Sequence, residues 1–308
     1  MFNLPSPLQK INHPIASQFE VELFIKRDDL IHDEISGNKW RKLKFNIEKY
    51  TQKKYDSILT FGGAYSNHIA ATAASGKLLN IPTIGIIRGE ELNVNSNKTL
   101  KKAYEDGMKL VFVSRTKYSE RYERIYHEEL RIQFGNALII NEGGANFHGV
   151  IGSGEVLSEI NFKPDYIYTA SGTGTTAAGL LLTSDTTKVI SVPVFKKGGF
   201  IREEIENLLI QFQFSEEELA EKMDLLELNL THDFGGYGKH TAELIDFIND
   251  FHSITQLKLD QVYTAKMMFA LLNDIKSGKI EPKSKVVALH TGGLQGLSSI
   301  TPLLNFSL

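Results

Sequence analysis

Cysteine is absent from this 308-residue chain. That excludes disulfides, thiolate nucleophiles and cysteine-ligated zinc or iron–sulfur sites. An excess of either charge is missing too, with 34 Lys and Arg against 37 Asp and Glu and a formal net charge of -3. Nothing in that balance favours nucleic acid or an anionic membrane as a partner. No apolar run reaches the roughly 18 residues of a membrane-spanning helix, and the opening MFNLPSPLQKINHP has no apolar segment of the signal-peptide kind. The nine histidines form no HExxH or other i, i+4 pair, so no metal site is expected. Prolines number only 8, and 42% of residues are hydrophobic, which is globular composition. A chain of this length buries about three quarters of its unfolded surface, enough for one large core or two domains. A soluble, cytoplasmic protein is expected.

Short apolar runs alternate with helical patterns nearly throughout. ELFIKR, SILTFGG, TIGIIRG, KLVFV, ALIIN, DYIYTA, KVISVPVF and KVVALH read as strands. KWRKLKFNIEKYTQKKY, SNHIAATAASGKLL, SERYERIYHEELRIQF, HGVIGSGEVLSEI, IREEIENLLIQF, KHTAELIDFINDF and VYTAKMMFALLNDI read as helices. Repeated β-α-β units predict an α/β fold of parallel-rich sheets with helices on both faces. In such sheets ligands bind beyond the carboxyl ends of the strands, and the segments of chemical interest lie there.

ISGNKWRKLKF places Lys39, Arg41, Lys42 and Lys44 at a helix start. A helix N-terminus carries roughly half a positive charge, so cations there need an explanation. Either the face is simply solvated, or an anion docks on it. A lysine crowded by cations and partly desolvated can also serve as a neutral amine nucleophile. SGTGTTAAG, directly after the strand DYIYTA, exposes backbone amides and hydroxyls in the manner of a phosphate cradle. Its glycines also fit a dinucleotide pattern, but the acid expected about 20 residues on is missing. TFGGAYSNHIAA gathers Gly62, Gly63, Ser66, Asn67 and His68 on one turn. Ser66 is an ordinary helix cap by itself, yet the surrounding amides suit a carboxylate. DFGGYGKH presents Tyr237, and LDQVYTAKMM presents Tyr263 and Thr264 at a helix start. Half-buried packing is the alternative for both tyrosines.

Five stretches, KRDDLIHDEISGNKWRKL, GGAYSNHIAATAA, ASGTGTTAAGL, LDQVYTAKMM and LHTGG, together resemble the D-cysteine desulfhydrase and 1-aminocyclopropane-1-carboxylate deaminase family. These are pyridoxal 5′-phosphate enzymes of fold type II, with the tryptophan synthase β-like fold. The resemblance runs from about residue 5 to about residue 298. GNK-x-RKL and SNH, in that order and spacing, are its specific motifs. It implies that Lys39 carries the cofactor covalently and that Lys42 and Gly172, Thr173, Gly174, Thr175 and Thr176 hold the phosphate. Asn67, Tyr263, Thr264 and Thr291 would contact the rest of the cofactor, with Tyr263 stacked on its ring. Ser66 and the amides of Asn67 and His68 would hold the substrate carboxylate, and Tyr237 would lie on the substrate side. It also implies a small amino-acid substrate, a homodimer, a large domain of residues 1–45 and 161–308, and a small domain of residues 46–160.

One position separates the two activities. The deaminases have an acid after this tyrosine, where Thr264 stands here. A hydroxyl supports a protonated pyridine nitrogen less well than a carboxylate does. The expectation is therefore α,β-elimination from D-cysteine to pyruvate, ammonia and sulfide. Opening of the cyclopropane ring is the first alternative. An NADP-dependent oxidoreductase using Lys196 and Lys197 is a remoter one.

Overall fold

The apolar runs become strands buried along their length. Every residue of Ser57–Gly62 is buried, as is every residue after the first in Tyr166–Ser171 and Lys188–Pro193, as strands covered on both faces require. The computed structural model describes residues 2–35 and 37–307. Its strands are β1 (Leu8–Ile11), β2 (Glu22–Lys26), β3 (Ser57–Gly62), β4 (Thr83–Arg88), β5 (Lys109–Val113), β6 (Ala137–Ile140), β7 (Tyr166–Ser171), β8 (Lys188–Pro193), β9 (Leu226–Leu228) and β10 (Lys285–Leu289). Its helices are α1 (Pro14–Gln18), α2 (Asn38–Lys53), α3 (Asn67–Leu79), α4 (Lys98–Glu105), α5 (Arg115–Ser119), α6 (Arg124–Phe134), α7 (Phe147–Ser158), α8 (Thr175–Thr183), α9 (Ile201–Ile210), α10 (Glu216–Asp224), α11 (Ala242–Thr255) and α12 (Thr264–Lys276).

These elements form two compact units. The larger runs to His32, returns at residues 37–38 and resumes at Ser153. The smaller is Asp33–Ile35 with Lys39–Gly152. The chain leaves the larger unit between Asn38 and Lys39, inside α2, and re-enters it between Gly152 and Ser153, inside α7.

The larger unit holds a six-stranded sheet in the order β1-β2-β10-β7-β8-β9. All its pairings are parallel except β1 with β2, where Leu8 faces Lys26 and Ile11 faces Leu23. The antiparallel edge strand is not announced by the sequence pattern, because only one of its four residues is buried. Ile25, Tyr168, Ile190 and Ala288 from the strands pack with Leu244, Ile248, Met267 and Leu271 from α11 and α12.

The smaller unit holds a four-stranded parallel sheet in the order β5-β4-β3-β6. On one face Leu59, Phe61, Ile84 and Ile86 pack with Tyr118, Tyr126 and Leu130 of α5 and α6. Another cluster joins Ile69 and Ala73 of α3 and Leu100 and Ala103 of α4 to Ile87 and Met108. SERYERIYHEELRIQF, residues 119–134, is helical only from Arg124, and its first residue, Ser119, ends the preceding helix α5. The break lets both Tyr118 and Tyr126 bury against Phe61, with ring centroids 6.3 and 6.4 Å away. It also turns Arg121 towards Glu142, at 2.7 Å.

Candidate active site

In the larger unit four of the sequence motifs meet at the carboxyl ends of β7 and β10. After β7 the chain turns through Gly172, Thr173 and Gly174 into α8. Gly174 has φ +72°, and a Cβ there would stand 2.7 Å from Ile205 Cγ1. Among the described residues no side chain caps α8, so its first amides lack a side-chain acceptor. The Thr173 and Thr175 hydroxyls bond each other at 2.8 Å. Asn38 donates from Nδ2 to Thr176 Oγ1 at 2.9 Å, and its own amide donates to the Thr291 carbonyl at 3.3 Å. Gly37, at φ +66°, lies so close to Thr291 that a Cβ would run into that carbonyl oxygen. GN is thus pinned to the turn after β10 and to the cradle after β7. Lys39 is the next residue along the chain.

Tyr263 packs over the cradle, since a Cβ at Gly172 would touch its ring at 3.5 Å. Tyr237 meets Tyr263 edge-on, with centroids 6.1 Å apart, and stacks on Phe195 at 5.6 Å. Thr264 is fully buried. Its hydroxyl donates to Asp260 Oδ1 at 2.7 Å and accepts from the Asp260 amide at 2.8 Å. The same carboxylate takes the amides of Val262, Tyr263 and Thr264 at 2.8–2.9 Å. Burial pushes the Asp260 carboxyl up, against the pull of these donors. Asp260 therefore fixes the start of α12, and the one proton of Thr264 is directed at it.

In the smaller unit Lys39 and Lys42 stand three residues apart on the first turns of α2, on one face. Lys42 is buried, and no carboxylate pairs with it among the described residues. Burial, and secondarily the charge of Lys39, pushes its ammonium well below the usual lysine range. Gly144, at φ +77°, admits the Lys42 stem: a Cβ there would lie 2.9 Å from Lys42 Cβ and 3.4 Å from His68 Cε1. His68 Nε2 lies 3.0 Å from Thr60 Oγ1, whose proton is already given to the Ile140 carbonyl at 2.8 Å. The ring must therefore donate from Nε2, which leaves Nδ1 a bare acceptor. That Nδ1 is buried and has no hydrogen-bond partner among the described residues. Burial, then Lys39 and Lys42, holds the imidazole neutral, well below its ordinary range. Ser66 caps α3, its hydroxyl accepting from the Ile69 amide at 3.3 Å, and Asn67 follows as the first helical residue.

The glycine turn of the larger unit can bind a phosphate, and in the smaller unit the start of α3 can hold a carboxylate and α2 carries amine groups. Gly144 carries no motif signal of its own. Asp260 and Lys266 (considered below) lie inside LDQVYTAKMM, where an acid ahead of a helix start and a single cation inside the apolar run TAKMMFALL could have been suspected.

Comparison with known proteins agrees with this chemistry. Residues 2–292 match the family described as pyridoxal-phosphate dependent enzyme. A Pyrococcus horikoshii protein provisionally named 1-aminocyclopropane-1-carboxylate deaminase is 28% identical, over 94% of this chain and 90% of its own. The mitochondrial bifunctional D-cysteine desulfhydrase/1-aminocyclopropane-1-carboxylate deaminase of Arabidopsis thaliana is 30% identical, over 96% of this chain and 78% of its own. A crystal structure described as an ACC deaminase homologue superposes with a TM-score of 0.80 at 26% identity, covering 98% of this chain and 95% of that one. The NADP reading of the glycine turn is thereby set aside: the chain belongs to the pyridoxal-phosphate dependent enzymes, with a fold of type II.

Proposed function

We propose that this enzyme eliminates the β substituent of a small D-amino acid, with D-cysteine giving pyruvate, ammonia and sulfide. The residues suit pyridoxal 5′-phosphate. Glycine turns leave room where a Cβ would intrude, and a buried ammonium, Lys42, lacks a carboxylate partner. In this reading Lys42 and residues 172–176 hold the phosphate, and Tyr263 covers the ring. Asn67, Thr264 and Thr291 complete its contacts. When bound, the cofactor supplies an electron sink for the charge left at Cα. Lys39 carries the cofactor and moves the Cα proton. Ser66 and the amides of Asn67 and His68 orient the substrate carboxylate, and Tyr237 lies on the substrate side. Resemblance to the family also supports a homodimer, a division into a large and a small domain, and a cytoplasmic location.

The observation that carries elimination over ring opening is Thr264. A hydroxyl stands where the deaminases have an acid, and its proton is directed at Asp260. Ring opening stays a second reading because the Arabidopsis relative is named for both activities. The test is kcat/KM on D-cysteine or β-chloro-D-alanine against 1-aminocyclopropane-1-carboxylate. Elimination should dominate. A preference for the cyclopropane substrate overturns the reading.

A further inference from the structure

Lys266, on α12, is fully buried in the larger unit, where a cation needs a reason. Its ammonium donates to the carbonyls of Asp233 and Gly236, both at 2.7 Å. Those oxygens also organise the 233–240 loop from within. Gly236 N donates to the first at 3.0 Å, and Lys239 N to the second at 3.1 Å. The loop needs such support, because Phe234, Gly235, Gly236 and Gly238 all have positive φ, between 49° and 101°. Left-handed backbone at a bulky residue such as Phe234 is costly and persists only where its surroundings impose it. Tyr237 follows the second clamped carbonyl directly. It is 48% exposed, and Phe195 and Tyr263 are its ring partners.

We propose that Lys266 is a positioning residue that sets Tyr237 against Tyr263 by clamping the 233–240 loop through its main-chain carbonyls. This rests on the reading of Tyr237 given above. The charged groups facing the ammonium are Asp233 on the loop and Asp260 before α12, and both favour its charged form. Burial outweighs them and pushes Lys266 down to about 8. Deprotonation removes the charge from both bonds, so the clamp weakens as pH rises through that value.

The test compares the holoenzyme with Lys266→Met, Tyr237→Phe and the double variant. Trypsin cleavage after the exposed Lys239 reports the loop, and cleavage after the exposed Lys54 serves as the internal reference. Lys266→Met should speed cleavage after Lys239 by at least about tenfold, the least that losing a hydrogen bond to a charged group predicts. It should also lower kcat/KM on D-cysteine, and that loss should vanish in the Tyr237→Phe background. Unchanged cleavage after Lys239 overturns the clamp. Additive losses in the double variant overturn its action through Tyr237. An inert Tyr237→Phe overturns the reading of Tyr237, while the cleavage rate still decides the clamp. If Lys266→Met does not fold, hydrogen exchange of residues 234–239 in the wild type decides. After correction for intrinsic rates, their protection should fall as pH passes about 8 while α11 and α12 hold. Flat protection overturns the proposal.

Discussion

Ser66 is a helix cap by geometry and a substrate-binding residue by proposal, and the two roles predict different losses. Removing the hydroxyl orphans the Ile69 amide and should cost about 1 kcal/mol of stability. Ser66→Ala should also lower kcat/KM on the preferred amino acid. A melting shift with undiminished kcat/KM would leave Ser66 a cap and nothing more. His68 makes a separate prediction about pH. Its folded value lies well below the ordinary 6.5, so below that pH the unfolded chain takes up a proton that the native site refuses. Native stability then falls with falling pH, by up to about 1.4 kcal/mol per unit. His68→Gln can keep the bond to Thr60 but not the titration. The loss of apoprotein stability between about pH 6.5 and 5 should be smaller in the variant, and equal slopes by denaturant unfolding would refute the buried neutral imidazole.

At the scale of elements, the turn from Gly37 into α2 is the sharpest case. A residue with a Cβ pays for left-handed backbone with about 1–2 kcal/mol. Gly278→Ala measures that strain alone, since a Cβ at its φ of +77° meets nothing within 4 Å. Gly37→Ala adds a collision with the Thr291 carbonyl and should destabilise by clearly more, with loss of the bound cofactor's visible absorbance. Equal melting shifts for the two variants would mean the Thr291 turn yields freely. The same element shows what the sequence could disclose. SNH, SGTGTT and TGG stood out as candidates because each follows a strand end, and GNK because it opens a helix, where local chemistry is written locally. α10 went unread because no apolar run drew attention to it, although Ser215 and Glu218 form a full capping box. β1 went unread too, because an edge strand with one buried residue has no pattern to read. Nor was Lys266 legible as a structural centre. The bonds from Lys266 span 33 and 30 residues, and no local period records such distances.

Across the whole molecule, similarity spans nearly every residue yet names two reactions, because overall identity averages over positions that the chemistry does not touch. Cofactor affinity is a better whole-molecule test, since the proposed function assigns the phosphate to Lys42 and the 172–176 turn. The Lys42 ammonium is held well below the ordinary 10.5, first by burial and then by Lys39. A phosphate ester is a dianion above its second pKa of about 6, and its charge beside Lys42 would favour the protonated amine. Binding should therefore take up a proton, and affinity should fall as pH rises between the free and bound values of Lys42. Lys39→Ala isolates this effect. It should abolish turnover and the absorbance of covalently held cofactor while leaving phosphate docking in place, and it removes only the lesser cause of the Lys42 shift. Calorimetry of pyridoxal 5′-phosphate binding to Lys39→Ala, in two buffers of different ionisation enthalpy and over a range of alkaline pH, should show net proton uptake. Adding Lys42→Met should remove both the uptake and most of the affinity. Binding without proton uptake, or affinity indifferent to Lys42, would assign the phosphate to the 172–176 amides alone and leave the buried lysine without a ligand.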